Sequence, residues 1–448
     1  MANRNTTGIY YGWKLVAALL VMLTFATGFS FYNHAVILNA LARQPAFTVG
    51  SASVAVSLFF LSGGVAGLWI ARWVNEFDPR YCICAGAVLS GLSLASLSLV
   101  TSVWHLYLDY LFFGVGFAAS NLVPATTLVT RWFHKRRARA LSIASTGLSL
   151  GGVVITPVCA LLVENLGLVR ASPIMGVMYL LGVIPVALIW LRPSPESMGL
   201  LVDGETPPGD QTAGIDSSTS GVLKPKPRQL TRAGSTGMLL EGISFREARR
   251  GRLFWCISLA YIFLMMAQVG GISHQYGLAR ELLDEAQTVL VVAILPIASI
   301  IGRLAGGWIV EQVSIRAFAL GMMLLQVSSL ALLSAEFNPF SLCLGLALFG
   351  ITVGNLLMLQ PLLLAEAFGV REYPRIFAMS NFMASWGTAS GPAVLGLVYA
   401  ASGDVYGVAY LVAAAAGLAG LLLFLAGGPV THSQVGNGAG DEIRTRDN

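Results

Sequence analysis

The residue whose type and position most clearly indicate a chemical role is an arginine inside a long apolar segment. Arg303 stands about eight residues, or roughly 12 Å along a helix, from the end of that segment. At the centre of a membrane span an arginine costs roughly 2.5–3.5 kcal/mol, and it persists where it meets a watery cavity or a partner. Because a guanidinium binds a carboxylate through two parallel hydrogen bonds, we predict that Arg303 binds an anionic substrate. The alternatives are that it reaches towards the membrane surface or pairs with Glu311.

Other polar residues on the apolar segments are candidates for the rest of a substrate site. One buried cation suits one carboxylate, since a second charge in a low dielectric would lack a partner. This favours a monocarboxylate, or a small organic anion whose other end is neutral. Hydrogen bonds to a substrate hydroxyl or carbonyl, or alternatively bonds between helices, are the expected role of five amides: Asn33, Asn121, Gln268, Asn355 and Gln360.

Three titratable residues are candidates for carrying a coupled proton. His34 and His274 lie near corresponding ends of two apolar segments, and Asp109 lies near the end of a third. Histidine changes its charge near neutral pH and is suited to proton coupling. The structural alternative is that each histidine caps a helix at headgroup level and that Asp109 touches water or a neighbouring tyrosine.

The sequence contains none of the patterns of a soluble enzyme. It has no phosphate-binding Gly-rich loop followed by lysine, and no nucleophile next to a plausible base. Its five cysteines lie in or at the ends of apolar segments, without metal-ligand spacing. We therefore expect neither enzymatic activity nor a metal or cofactor.

The composition places these residues in a membrane protein. Hydrophobic residues make up 56% of the chain and charged residues 11%, against about 25% charged in a typical soluble domain. A spanning helix needs roughly 20 mostly apolar residues. We predict an all-α protein with twelve spans, near 11–37, 51–74, 80–101, 104–129, 138–163, 170–191, 252–278, 287–310, 315–335, 340–365, 375–401 and 405–427.

The placement of basic residues predicts the orientation. If the N-terminus is cytoplasmic, the outer connections contain only Arg43, Arg170 and Arg280, and nearly all other Lys and Arg residues face the cytoplasm. We therefore expect a multi-pass protein of the cytoplasmic (inner) membrane with both termini in the cytoplasm. Its partner is the lipid bilayer and not nucleic acid, because the basic runs are short loops beside the membrane.

The chain divides into two similar halves. Residues 1–191 and 251–428 are predicted to form six-helix bundles, joined by a polar, Pro-rich cytoplasmic linker at 192–250 and followed by a disordered tail at 429–448. Ser244 and Glu247 form a capping-box pattern, which predicts a short amphipathic helix at roughly 245–252. When the chain is aligned with itself, Gly67 matches Gly302, and Leu68 matches the arginine at 303. Duplicated apolar halves are typical of transporters with one central site.

Charged residues recur in the predicted cytoplasmic loops. The loops after the second and eighth spans each contain glycines and a glutamate flanked by basic residues, and a basic run precedes the fifth span. We interpret them as contacts that stabilise one conformation of a rocking carrier; simple anchoring of the loops is the alternative. The residues are Arg72, Glu76, Arg80, Glu311, Arg136 and Arg137.

Four motifs resemble the major facilitator superfamily and, within it, the bacterial monocarboxylate transporters and oxalate/formate-type antiporters. They are Tyr11-Gly12-Trp13, the basic run Arg131–Ala144, Pro195–Leu200, and Phe245–Trp255. The resemblance implies two six-helix bundles related by a pseudo-twofold axis, with transport by alternating access. It also implies that Arg303 anchors the substrate, and it adds His274, where bacterial members commonly have histidine. Symport of a small organic anion with a proton is the favoured activity, by a monomer. Anion exchange and export of drugs or metabolites are the alternatives.

The chain also departs from that family. Where its carboxylate carriers often have a lysine in the first helix, this chain has Tyr32 or its neighbour Asn33. Where their eighth helix often has an acid one turn before the arginine, this chain has Ser299. We therefore add Tyr32 and Ser299 to the predicted substrate site, which already includes Asn33.

Overall fold

The computed structural model describes residues 10–133, 136–204, 243–310, 312–335, 338–369 and 372–428. Glu311, most of the predicted linker (205–242) and the predicted tail (429–448) lie outside the described residues. Within them the long helices are α1, Tyr11–Ala42; α2, Val49–Glu76; α3, Pro79–Ser96; α4, Val103–Trp132; α5 and α6, the two parts of Arg137–Trp190; α7, Arg252–Leu282; α8, Glu285–Ile309; α9, Ile315–Ser334; α10, Pro339–Phe368; α11, Tyr373–Ala401; and α12, Tyr406–Ala426.

Ten segments of the described residues are long and apolar enough to cross a membrane. One of them contains both α5 and α6, which meet at Gly167, a residue with a φ of 72° that glycine adopts without strain. The twelfth long helix of the described residues is α11, of 29 residues. In lipid a helix is favoured because it pairs its own backbone groups. The predicted all-α architecture of twelve spans is confirmed.

Two of the helices are irregular at functionally interesting places. In α1, regular helix at Tyr11–Thr27 passes through a π-helical turn at Gly28–Tyr32 and continues at His34–Ala42. π-Helical turns are rare in proteins, and those that do occur often lie at functional sites. In α4, Asn121 has a non-helical backbone (φ −119°, ψ −133°), which divides the helix.

Glycines let α1 pack on α5, and α7 on α11. A Cβ at Gly147 of α5 would clash with the carbonyl oxygen of Leu20, and a Cβ at Gly387 of α11 would clash with that of Ile262. The packing therefore makes Gly147 the counterpart of Gly387. Sequence alignment instead matches Gly387 with Gly152, so the register of the repeat shifts between the second and fifth helices of each half.

The two halves meet at one end of the bundle, which we call the far side. There the Nη1 of Arg43 lies 3.1 Å from Oε1 of Glu285, and the backbone N–H of Ala393 in α11 donates to Oγ of Ser57 in α2 at 2.9 Å. The opposite end, which we call the linker side, is where α6 ends and α7 begins. Large side chains near it are more than half exposed: Trp69, Trp73 and Trp308.

The end of the predicted linker docks on the second half. Ser244 and Glu247 form the predicted capping box, but the helix is shorter than predicted and spans Phe245–Ala248. It ends early because Arg249, Arg250 and Gly251 turn the chain into α7. The backbone N–H of Phe245 donates to Oε2 of Glu372 at 2.7 Å. The division into two bundles, linker and tail stays a prediction.

Candidate functional site

Arg303 bridges the two halves from α8 to α5. Its Nη1 donates to the carbonyl oxygen of Ser145 at 3.1 Å, and its Nη2 donates to Oγ of Ser149 at 3.4 Å. Its Nε–H is buried and has no acceptor within the described residues. Nor does any carboxylate in this part of the chain form an ion pair with it. The guanidinium is therefore a partly buried cation with hydrogen-bonding capacity to spare.

Asn355 of α10 holds the backbone of α8 on both sides of Arg303. Its Nδ2 donates to the carbonyl oxygen of Gly302 at 2.9 Å, and the neighbouring Gly306 has no room for a side chain beside Oδ1 of Asn355. Close packing of this kind fixes the position of the arginine. The predicted site residue Asn355 therefore positions Arg303 and does not itself line the cleft.

Tyr32 and Ser299 lie beside Arg303, where the two halves of the protein meet. The phenol of Tyr32, from the π-helical turn of α1, lies near Ser149 and near the Arg303 charge. The Oγ atoms of Ser149 and Ser299 are 3.4 Å apart. Gly152 lets the Tyr32 ring lie close to α5, because a Cβ at Gly152 would be 3.0 Å from that ring. The tertiary structure thus brings three of the predicted site residues together around Ser149.

A cleft of about 150 Å³ reaches Arg303. Its lining comes from α5, α8 and α10: Ser142, Thr146, Ile300, Arg303, Leu304, Gly307 and Met358. All of these residues except Met358 belong to the linker-side parts of α5 and α8, and Leu304 is 67% exposed. The cleft therefore opens towards the linker side, while the halves are in contact on the far side.

The other predicted amides lie elsewhere. Nδ2 of Asn33 donates to the carbonyl oxygen of Phe29 at 3.2 Å and lies 3.5 Å from Sδ of Met175 in α6. Nε2 of Gln360 donates to Oγ of Ser380 in α11 at 3.1 Å. Asn121 at the break of α4 and Gln268 in α7 are buried. None of the four lines the cleft beside Arg303.

The predicted proton carriers occupy three separate places. Nε2 of His274 lies 3.1 Å from the carbonyl oxygen of Pro392 and 3.3 Å from Oγ of Ser53, so it joins the two halves on the far side. Oγ of Ser96 donates to Oδ1 of Asp109 at 2.5 Å.

His34 lies in an aromatic cage. Its ring centroid is 4.3 Å from that of Phe59, 5.5 Å from that of Tyr110 and 5.7 Å from that of Phe113. Neither ring nitrogen has a hydrogen-bond partner in the described residues. His34 is fully buried and does not cap a helix at the membrane surface, because the π-helical turn rotates it into the first bundle.

The predicted gating residues form fewer contacts than expected. Arg80 binds Asp78, its Nη2 lying 2.6 Å from Oδ2, whereas Arg72 and Glu76 are exposed. Burial alone would raise the pKa of Asp78, but the hydrogen bonds and charge of Arg80 hold that pKa below its ordinary value. The backbone N–H of Arg136 donates to Oδ1 of Asp203 at 3.3 Å. The side chain of Arg137 lies outside the described residues, as does Glu311.

Sequence reasoning missed the wall of the site that α5 provides. Ser142, Ser145, Thr146 and Ser149 recur at intervals of one helical turn in an otherwise apolar helix. That periodicity was a usable signal, because polar side chains on one face of a span mark a cavity or a helix contact. Met358 carries no such signal and enters the site only through packing.

The comparisons with known proteins agree with this architecture. A family model described as Major Facilitator Superfamily matches residues 20–312 and 269–444. Monocarboxylate transporter 12 of Xenopus laevis is 25% identical over 364 residues, which cover 75% of this chain and 71% of that protein. An MFS-type transporter of Gibberella moniliformis is 29% identical over 154 residues, which cover 33% of this chain and 36% of that protein, about a third of its length.

A solved structure shows the same fold. A bacterial homolog of the human lysosomal transporter Spinster, in an inward-facing and unoccupied conformation, has a TM-score of 0.63 with 18% sequence identity, covering 94% of this chain and 96% of that chain. Its identity is low enough that the likeness concerns the fold alone. The family model matches most of the length of this chain, which therefore belongs to the Major Facilitator Superfamily. The chain is a multi-pass membrane transporter, not an enzyme.

Proposed function

We propose that this protein carries a small organic anion, a monocarboxylate, across the cytoplasmic membrane. The observation that supports it best is Arg303, which lies in the cleft between the halves without an acidic partner in the described residues. Similarity to monocarboxylate transporter 12 points in the same direction.

The free Nε–H favours a carboxylate as ligand. An unsatisfied buried donor costs about 1–3 kcal/mol, and more when it is charged. A carboxylate that approaches Arg303 side-on would satisfy Nε–H and one Nη–H together in a bidentate pair. One cation compensates one negative charge, so the proposed substrate carries one carboxylate.

The distribution of contacts between the halves supports alternating access. In the conformation described here, Arg303 faces a cleft open on the linker side, and the far side is held by Arg43 with Glu285 and by Ser57 with Ala393. Breaking the far-side contacts while closing the cleft would expose Arg303 to the opposite compartment. Such rocking about a fixed central site is how many carriers with repeated halves work.

Coupling to a proton is the finer part of the proposal. Among the candidates His34, His274 and Asp109, we favour His274, because its Nε2 contacts Ser53 and Pro392 across the halves. A charge on this ring would act directly on the far-side closure. Anion exchange is the rival mechanism; it predicts stimulation by internal anion and no response to a pH gradient.

The remaining expectations concern the setting of the transporter. We infer that both termini and the linker side are cytoplasmic, because the basic residues concentrate on the connections of that side. We also infer that one chain suffices, because Arg303, Tyr32 and Ser299 all come from the same chain. Labelling of single cysteines from either side of the membrane tests the orientation.

Uptake into proteoliposomes tests the main proposal. Labelled lactate, pyruvate and longer 2-oxo acids are supplied under an inward proton gradient to wild type and Arg303→Ala. Accumulation by wild type and its loss in a well-folded variant are expected. If no acid moves, or if Arg303→Ala transports normally, an exporter of neutral or cationic metabolites becomes the better description.

His274→Gln separates coupling from binding. We expect this variant to lose accumulation driven by the proton gradient while it keeps exchange of labelled for unlabelled substrate, since exchange needs no net proton movement. Loss of both activities in a folded variant would contradict the proposed role, and the same experiment on His34→Gln and Asp109→Asn would then assign it.

A further inference from the structure

The cleft beside the arginine has two unlike walls. On α5, Ser142 and Thr146 lie one turn apart and present hydroxyl groups. The hydroxyl of Thr146 donates to the carbonyl oxygen of Ser142 at 3.0 Å, so its oxygen remains an acceptor. The apolar part of the lining consists of Ile300 and Leu304 from α8 and Met358 from α10. An anchor for a carboxylate accounts for neither wall.

Gly307 extends the cleft beyond the anchor. Arg303 and Gly307 are four residues apart on one face of α8, about 6 Å along its axis. A Cβ at Gly307 would meet no heavy atom of the described residues within 4 Å. Its neighbour Gly306, in contrast, packs tightly on Asn355. We call the space that runs from Arg303 past Gly307, between Leu304 and Met358, the Gly307 groove.

We propose that the Gly307 groove holds the body of the substrate, so that the carrier selects monocarboxylates with an apolar chain or ring. The inference rests on the proposed binding of a carboxylate at Arg303. Each methylene that leaves water on binding raises affinity by up to about fourfold. A second carboxylate in the groove would lose its hydration, because none of the lining residues offers a second cation.

The α5 wall extends the inference to the atom next to the carboxylate. Ser142 and Thr146 line the same cleft as the apolar residues Ile300, Leu304 and Met358. A hydroxyl or keto oxygen on the substrate can hydrogen-bond there while its apolar side contacts Ile300 and Met358. The groove therefore fits 2-hydroxy and 2-oxo acids whose remaining part is apolar and longer than a methyl group.

Calorimetric titration of the purified full-length protein tests the groove. The ligands share a 2-hydroxy acid head and differ in the body: glycolate, lactate, 2-hydroxyhexanoate, 3-phenyllactate and malate. We expect the affinities of 2-hydroxyhexanoate and 3-phenyllactate to exceed that of glycolate by about tenfold or more, since several methylenes are removed from water. Malate, with a second charge, is expected to bind more weakly than lactate.

Gly307→Leu narrows the groove one helical turn beyond Arg303. We expect it to weaken the binding of 2-hydroxyhexanoate and 3-phenyllactate about tenfold more than it weakens the binding of glycolate. The matched control is Gly321→Leu in α9, where a Cβ also meets no described atom within 4 Å; it should alter none of the affinities. Leucine favours a helix over glycine, so both variants are expected to fold.

The outcomes separate the two proposals. Equal affinities for all monocarboxylates, or an equal loss of all of them in Gly307→Leu, would overturn the groove, while loss of binding in Arg303→Ala would still support the anchor. If none of the acids binds to the wild-type protein, both proposals fail.

Discussion

Arg303 makes two hydrogen bonds to α5 and keeps its Nε–H unpaired within the described residues. Both bonds cross from one half of the protein to the other, so the arginine belongs to the contact that must change during transport. A substrate carboxylate would compete with Ser145 and Ser149 for the guanidinium. Binding at this residue and movement of the halves are therefore expected to be linked.

Arg303→Lys keeps the charge but loses the planar fork. We expect KM for a transported monocarboxylate to rise about tenfold or more, because one charge-assisted hydrogen bond contributes roughly 1.5–3 kcal/mol. Concentration-dependent uptake in proteoliposomes measures this. Arg192→Lys is the control, because the hydrogen bonds of Arg192 go to main-chain carbonyls near the end of α6. An unchanged KM in Arg303→Lys would mean that charge alone is recognised.

Tyr32→Phe removes a hydroxyl that lies near Ser149 and Arg303. We expect KM to rise roughly threefold to tenfold, in line with about 0.5–1.5 kcal/mol for one neutral hydrogen bond. The same uptake assay applies, with Tyr107→Phe, whose ring contacts Trp104, as the matched control. If Tyr32→Phe and the control behave alike, the Tyr32 hydroxyl has no role in the site.

Helices approach one another closely where glycine replaces a side chain. Gly147 packs on the backbone of α1, and Gly387 packs on the backbone of α7. These contacts place the π-helical turn of α1, and hence Tyr32, against α5. The geometry of the site therefore depends on the packing of α1 at Gly147, which lies between Ser145 and Ser149, the two residues that bond to Arg303.

Gly147→Val is expected to separate α1 from α5. Its branched side chain would overlap the carbonyl oxygen of Leu20, and overpacking of this kind costs about 1–3 kcal/mol or more. Thermal unfolding in detergent should show a lower Tm than wild type. Gly321→Val provides the control, because that glycine has open space around its Cα. Equal Tm values for the two variants would contradict the packing.

Asp78 caps the start of α3 and binds Arg80 through a contact that depends on pH. Its carboxylate accepts a hydrogen bond from the backbone N–H of Arg80 at 3.0 Å and also binds the guanidinium of Arg80. These contacts lower the pKa of Asp78 below the ordinary value of 3.8, although burial alone would raise it. The folded state thus favours the charged form. Its contribution to the free energy of unfolding is present above pH about 4 and disappears as the pH falls through the lower folded-state pKa.

Asp78→Asn keeps a helix cap but removes the charge. We expect the variant to be less stable than wild type by about 0.2–1 kcal/mol at neutral pH, the usual range for a solvent-accessible ion pair. The difference should shrink as the pH falls below 4. Unfolding midpoints measured from pH 7 to acid pH give the test, and a difference that is independent of pH would contradict it.

On the scale of the whole molecule, the halves are closed on the far side and open on the linker side. A crosslink between α2 and α11 on the far side should hold this conformation. We choose cysteines for Ser57 and Ala393, whose hydroxyl and backbone N–H are hydrogen-bonded at 2.9 Å. The five native cysteines would first be replaced.

Oxidation of the Ser57→Cys, Ala393→Cys protein is expected to stop uptake, and reduction to restore it, since the far side could no longer open. Each single-cysteine variant under the same oxidant is the control. Binding of substrate should survive oxidation, because the cleft lies on the other side. Transport by a protein shown to be crosslinked would contradict alternating access through this contact.

The sequence by itself determined the class of protein, its helices and its leading residue. Long runs of apolar residues predict membrane spans because such a helix is stable in a bilayer, whichever helices surround it. Arg303 stood out for the same reason, since a cation in such a run needs an explanation. The capping box of Ser244 and Glu247 was also readable, because it depends on residues three apart in the chain.

Only the tertiary structure decided which polar residues meet. Tyr32 reaches the arginine and its neighbour Asn33 turns to α6, a choice that depends on the π-helical turn in α1. His274 and His34 look equivalent in the sequence, yet one joins the halves and the other lies in an aromatic cage. Periodicity shows which residues share a helix face, but which face meets which depends on packing between helices far apart in the chain.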